Sequence, residues 1–290
     1  MTQDEFLAKL SKEGEDYVLD GNLGGATERL FCPASLIVRG DIESGTSIVV
    51  EGDVTVRGSV FDASVTATRS VTVEESFVGS GKGKITSGID VTVKVINAQS
   101  VVAKGNITIG AESLNADLHA YDAIEASGAR IVGGKSEASN AITVRNLGSE
   151  DGRQTKVYLG NRKKLLQRMN EIGNEKKSLN ERLPKINRCI YKWNRVRIDG
   201  VVLTDEQEKM LEKLRTMRDS FPRQMELFRK ESDHLKMLLR EKVDSVLTIR
   251  ESIYENVLVD INGYREVTDS EQKSIRYYMG DHRLFVQALH

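Results

Sequence analysis

The chain has 290 residues, 39% hydrophobic and 6% aromatic, and its 42 Lys+Arg nearly balance 43 Asp+Glu. That is enough apolar content for one large or two ordinary domains, and it excludes disorder by composition. No run of 18 apolar residues occurs, and the opening MTQDEFLAKL carries acids where a signal peptide needs a basic start, so neither a membrane span nor export is expected. Cys32 and Cys189 lie 157 residues apart in segments of opposite character, which points to the reducing cytosol over a disulfide framework. The four histidines are scattered and form no metal-ligand spacing, so no metal and no cofactor is expected.

In chain order, residues 1–34 read as an N-terminal extension. From 35 to 160 short β-branched stretches follow one another, each ending in Gly, Asp, Asn or Ser, and no proline interrupts them between Ala34 and Leu183. Sixteen of the 24 glycines fall between Gly40 and Gly160. Strand starts at Ile37, Val54, Val71, Val91, Ile107, Ala123 and Ala141 are spaced by 17, 17, 20, 16, 16 and 18 residues. Such a period is too short for a propeller blade and fits one turn of a parallel β-solenoid of about seven rungs. A left-handed hexapeptide helix needs an aliphatic residue every sixth position. Stepping from Val71 gives Phe77, Gly83 and Ile89, and from Ile107 gives Ser113 and His119, so the expected hand is right.

Residues 161–250 change to coiled-coil periodicity. Leu165, Met169, Ile172, Lys176, Leu179, Leu183, Ile186, Ile190 and Trp193 alternate steps of four and three, with Pro184 expected to kink the helix near residue 180. Asp199-Gly200 signals a turn, and Thr204 to Gln207 is a capping box that restarts the helix. The return arm reads Met210, Leu214, Met217, Phe221, Met225, Phe228, Ser232, Leu235, Leu239, Lys242, Val246 and Ile249, with one extra step of four at Pro222. An antiparallel hairpin protruding on the order of 50 Å is expected, from about 1.5 Å per residue. Residues 251–290 return to strand character at VLVDI, SIRYY and LFVQAL, with turns at Asn262-Gly263 and Gly280-Asp281, and should pack near the last rung as a cap. The fold class is mainly β with α: a right-handed parallel β-helix, a helical hairpin and a small C-terminal β segment.

Three stretches, GSGKGKITSGIDVTVKVI (79–96), IVGGKSEASNAITVRNLGSEDGRQTKVYLG (131–160) and YENVLVDING (254–263), resemble the flagellar assembly protein A (FapA) family. With the coiled coil, the resemblance covers residues 30 to 290. It implies a right-handed β-helix, a helical hairpin, a C-terminal β segment, and a role in assembling and placing the flagellum at the cell pole, with no catalytic residues to carry over. Two departures stand out: a short N-terminus where the family carries a longer domain, and Glu255-Asn256 where it tends to show Pro-Gly. The rungs also resemble those of the division inhibitor MinC and of bactofilins, which polymerise.

Two features carry candidate interaction residues. Gly79, Gly81, Lys82 and Lys84 form a Gly-rich turn that could hold an anion or a partner, although it lacks the strand-to-helix setting of a phosphate loop and reads first as a solenoid corner. Residues 161–197 hold 12 Lys+Arg against 3 Asp+Glu, so Arg162, Lys163, Lys164, Arg168, Lys176, Lys177, Arg188 and Lys192 offer a basic edge for an acidic protein or a membrane surface. Nucleic acid fits poorly, because aromatics do not interleave with these cations and the net charge is −1. Asp41, Asp53, Asp62 and Asp90 read as turn formers, and His119 and Cys32 lack visible catalytic partners. The expected function is a non-catalytic scaffold in flagellar assembly or cell-pole organisation, cytoplasmic or peripheral to the membrane at the pole. A self-assembling cytoskeletal or division-site homo-oligomer is the first alternative, and an anion binder using the Gly-rich turn is the second.

Overall fold

A computed structural model describes residues 1–160, 162–198, 203–240, 245–280 and 283–289, with side chains at all of these except 162–164, 240 and 280. They divide into two compact units, Met1–Asn161 with Val243–His290, and Arg162–Lys242.

The first unit opens with α1 (Gln3–Ala8), β1 (Leu10–Glu13), β2 (Asp16–Leu19), β3 (Leu30–Cys32), β4 (Leu36–Val38), β5 (Ser47–Val50), β6 (Val54–Val56), β7 (Val60–Phe61) and β8 (Ser64–Ala67). It continues through β9 (Val71–Val78), β10 (Lys84–Ser87), β11 (Val91–Asn97), β12 (Ser100–Ala103), β13 (Ile107–Leu114), β14 (Asp117–Ala120), β15 (Ala123–Val132), β16 (Lys135–Ala138), β17 (Ala141–Leu147) and β18 (Thr155–Leu159). The second unit holds α2 (Arg162–Ile198) and α3 (Asp205–Arg240), after which the first resumes with β19 (Val246–Ile253), β20 (Val257–Ile261), β21 (Tyr264–Val267), β22 (Gln272–Gly280) and β23 (Arg283–Ala288).

The strands wind a β-solenoid of about eight turns. One sheet stacks β2, β4, β6, β9, β11, β13, β15, β17 and β19 in parallel, and a second stacks β3, β5, β8, β10, β12, β14, β16, β18 and β20. The long strands bend midway. The β9–β11 register shifts between Val93 and Val95, so Val71–Val73 and Ser76–Val78 lie on two faces and β10 makes the third. Like stacks on like along the inside: Leu36, Val54, Val71, Val91, Ile107, Ile124, Ile142 and Leu247 occupy one register position and are all fully buried. Each such side chain contributes roughly 1.5–3 kcal/mol on burial.

These stacks correct the strand phase at three places. Leu36, Ile124 and Ile142 point inward where the sequence reading starts strands at Ile37, Ala123 and Ala141. Strand side chains alternate, so a slip of one residue exchanges the faces, and neighbouring apolar residues leave the phase open. A further stacked strand also joins each sheet at each end of the seven anticipated, so nine strands per sheet make the eight or so turns. β2 and β3 stack below β4 and β5 within residues 1–34, and β19 and β20 stack on β17 and β18. The chain therefore resumes the parallel coil after the helices; β21, β22 and β23 are antiparallel additions at that end, as β1 is on β2 at the other.

The turn aspartates hold the coil together. Asp41, Asp53 and Asp90 each accept a hydrogen bond from a backbone N–H one turn further on, at Ser59 (2.7 Å), Ser70 (2.9 Å) and Asn106 (2.6 Å). Gly134 meets another demand of stacking: its φ is +67°, and a Cβ there would sit 2.1 Å from the Ala116 carbonyl oxygen.

In the second unit, α2 buries the anticipated seam. Leu165, Ile172, Ile186 and Ile190 are buried and the other five positions, Lys176 included, are half-buried. Thr204 and Gln207 form the capping box, with Thr204 N–H donating to Oε1 (2.9 Å) and Gln207 N–H to Oγ1 (3.3 Å). The Asp199-Gly200 turn lies outside the described residues. On α3 the seam differs from the sequence reading. Met210 and Met217 are more than half exposed, while Leu211, Leu214, Arg218, Phe221, Met225 and Phe228 lie inward, so steps of three and four run through Pro222 without an extra one. Two methionines outweigh Arg218 in hydropathy, but an arginine can lay its stem along a seam and keep its charge in water. The anticipated continuation through Val246 and Ile249 is also corrected: both belong to β19, where they pair with Ala141 and Val144 of β17, and Lys242 lies outside the described residues.

Candidate interaction surfaces

The Gly-rich turn between β9 and β10 is built around a carboxylate. Gly79 and Gly81, the latter at φ +93°, let the chain curl so that backbone N–H groups converge. The anion they meet is Asp62 of the preceding turn: it accepts from Ser80 N–H (2.8 Å), Ser80 Oγ (2.8 Å), Lys82 N–H (3.1 Å) and Gln99 Nε2 (2.9 Å). These bonds, Ser80 first, hold the Asp62 carboxyl well below the usual carboxylate range. The nest is filled from within the chain, and the exposed Lys82 and Lys84 side chains stand outside it.

The basic edge of α2 separates into parts. Arg168 belongs to a packed ion-pair network, donating from Nε to Glu231 Oε1 (2.9 Å) and from Nη1 to Glu175 (3.2 Å) and Glu171 (3.4 Å), which raises its guanidinium pKa. Lys176 sits in the seam. It adds to Lys236 and Arg229 in holding the Asp233 carboxyl below its ordinary range. The side chains of Arg162, Lys163 and Lys164 lie outside the described residues. Lys177, Arg188 and Lys192 are exposed and carry no ion-pair partner among the described residues, and Arg182, Lys185 and Arg195 share that state.

Lys185, Arg188, Lys192 and Arg195 recur at steps of three, four and three, so they form one stripe along about 15 Å of helix. The seam residues Leu183, Ile186, Ile190 and Trp193 pack towards α3, which puts this stripe on the opposite face of α2. Tyr191, 66% exposed, and Ile198, 82% exposed, stand beside it, and Glu181 is the one acid at its start.

A polar row that the sequence reading does not anticipate runs along the outside of the second sheet. Val49, Thr66, Thr86 and Val102 share one register position, and the following turns replace them with His119, Glu137, Tyr158 and Asp260. The members are tied to neighbours. His119 Nδ1 lies 3.1 Å from Glu137 Oε2, Lys135 pairs with Glu137 and covers the Tyr158 ring, and Arg265 Nε donates to Asp260 at 2.6 Å. Aligning DLHA, KSEA and KVYL would have revealed the first three, but Asp260 is separated from them by the helical insertion. Cys32 is buried, and burial pushes its thiol pKa up, against nucleophilic use.

A groove of about 490 Å³ at the corner after β17 is lined by Arg130, Arg145, Asn146, Ser149, Asp151 and Tyr254 among others. Its arginines are already paired, Arg130 with Glu112 and Arg145 with Glu251 (3.7 Å). The network at Arg168, the polar row and the groove arginines hold their charges in pairs, whereas the outer cations of α2 have no ion-pair partner among the described residues. Among the described residues no helix is long and apolar enough to cross a membrane, and no cluster of His, Cys, Asp or Glu is arranged to hold a metal.

The family model described as the flagellar assembly protein A beta solenoid domain matches residues 16–284. No curated protein and no solved structure gave a match.

Proposed function

The chain belongs to the flagellar assembly protein A family, and from that membership we propose that it is a non-catalytic scaffold acting in flagellar assembly on the cytoplasmic side of the cell pole. The observation that carries the reading is the stripe of cations on α2 that have no ion-pair partner among the described residues, set against a solenoid whose turn aspartates are bonded to the following turn. A basic stripe about 15 Å long, flanked by Tyr191 and Ile198, suits an acidic protein surface. The aromatic and aliphatic neighbours supply contact area, and the cations supply steering. The same two apolar residues favour a second reading, in which the stripe lies on an anionic membrane surface.

The test uses the full chain and a Lys185→Glu/Arg188→Glu/Lys192→Glu variant as baits in lysate of a flagellated host, with partners identified by mass spectrometry. The proposal expects an acidic flagellar component that the variant and high salt both release. An unchanged set of partners on the variant would overturn it. Co-sedimentation with anionic vesicles, lost on charge reversal, would select the membrane reading.

A further inference from the structure

Along one corner of the solenoid, two residues are enough to carry the chain from the first sheet to the second. Ala98-Gln99 does so between β11 and β12, Asn115-Ala116 between β13 and β14, and Gly133-Gly134 between β15 and β16. After β17 the same corner takes seven residues, 148–154, before β18 begins. The coil itself does not require this length, because the next turn closes with three, 254–256. Loops longer than their connection needs are where a rigid scaffold carries its binding groups.

The long loop is held in one shape. Gly152 N–H donates to the Ser149 carbonyl (3.0 Å), Asn256 Nδ2 to the Gly152 carbonyl (2.8 Å) and Thr155 Oγ1 to the Arg153 carbonyl (3.1 Å). It walls the groove of about 490 Å³, a volume in the range of small-molecule sites. Charge in the groove is sorted by element: β15 and β17 supply Arg130 and Arg145, the loop supplies Glu150 and Asp151, and Val132 and Tyr254 add apolar surface. Both arginines meet their glutamates through Nε. That contact positions each guanidinium and leaves its Nη groups, which suit a carboxylate, without a hydrogen bond among the described residues. Asp151 pairs with Arg153 of its own loop at 3.7 Å, whereas Glu150 is exposed and has no ion-pair partner among the described residues.

We propose that this groove binds a small zwitterion of dipeptide size, its carboxylate on Arg130 and Arg145 and its ammonium on Glu150. The lining selects this class. A simple anion would meet the two loop carboxylates and a simple cation the two guanidiniums, whereas a ligand with one charge of each sign at its two ends answers both sides at once. The inference is independent of the partner reading for α2 and stands without it.

Isothermal titration calorimetry of the full chain with Gly-Xaa dipeptides, one for each amino acid, should find saturable binding. The tightest of them should bind about tenfold or more weakly once its amine is acetylated or its carboxylate amidated. Arg145→Gln should shrink the preference for acid over amide, and Glu150→Gln the preference for free over acetylated amine, each with unchanged circular dichroism. Both side chains are exposed, so neither change threatens the solenoid. No saturable binding by any dipeptide, capped forms that bind like their parent, or a folded variant that keeps the wild-type preference in full would each overturn the proposal.

Discussion

The solenoid and the helical hairpin make opposite use of their side chains. In the solenoid each turn is the partner of the next: aliphatic stacks fill the inside, and Asp41, Asp53, Asp62 and Asp90 reach along the coil to bond backbone N–H groups of the following turn. In the hairpin one seam of Leu, Ile and Phe is buried between two helices, and the outer face of α2 keeps cations without ion-pair partners among the described residues. The difference teaches where to look for function. A region whose polar groups are answered internally acts as a frame, and a region that leaves charge unanswered is available to others.

That contrast can be broken by mutation, most severely inside the frame. Phe77 is fully buried, and Phe77→Ala should destabilise the solenoid by about 3–5 kcal/mol, read by chemical denaturation. Gly134→Ala forces a side chain against the Ala116 carbonyl and should cost roughly 2 kcal/mol or more in the same measurement. Ile190→Ala in the hairpin seam, where a two-helix contact can relax, should cost about 2 kcal/mol, and hydrogen exchange should localise the loss to α2 and α3 while the solenoid keeps its protection.

The effect of pH sharpens the same distinction. The Asp62 carboxyl is held lower in the folded chain than in the unfolded one, so its stabilising contribution is complete above the ordinary carboxylate range. It is lost as pH falls through the depressed folded value. Thermal melting from pH 7 into strong acid should show this decline, and Asp62→Asn should flatten it. Smallest of all should be the effect of Lys177→Glu, Arg188→Glu or Lys192→Glu on stability, within about 0.5 kcal/mol each, because these side chains are exposed and have no ion-pair partner among the described residues.

Legibility in the sequence follows the same division. The solenoid was readable because its period repeats seven times, and the α2 seam because nine positions keep one rhythm. What escaped were features set by register between turns. The phase at Leu36, Ile124 and Ile142 depends on which of two adjacent apolar residues faces in. The turn formed by β19 and β20 is cut off from its neighbours by the whole of α2 and α3. Glycines at 79 and 81 advertise an anion nest, but nothing local says that Asp62 already fills it. On α2, Arg168 looked like its neighbours until Glu231 of the other helix was beside it.

The most direct test is complementation. A flagellated host lacking this gene would receive either the wild-type chain or the Lys185→Glu/Arg188→Glu/Lys192→Glu variant, with flagella counted by electron microscopy and protein levels matched by immunoblot. The account predicts that the wild type restores flagella and that the folded, equally abundant variant does not. Restoration by the variant to wild-type numbers would contradict the claim that the basic face of the hairpin is the working surface.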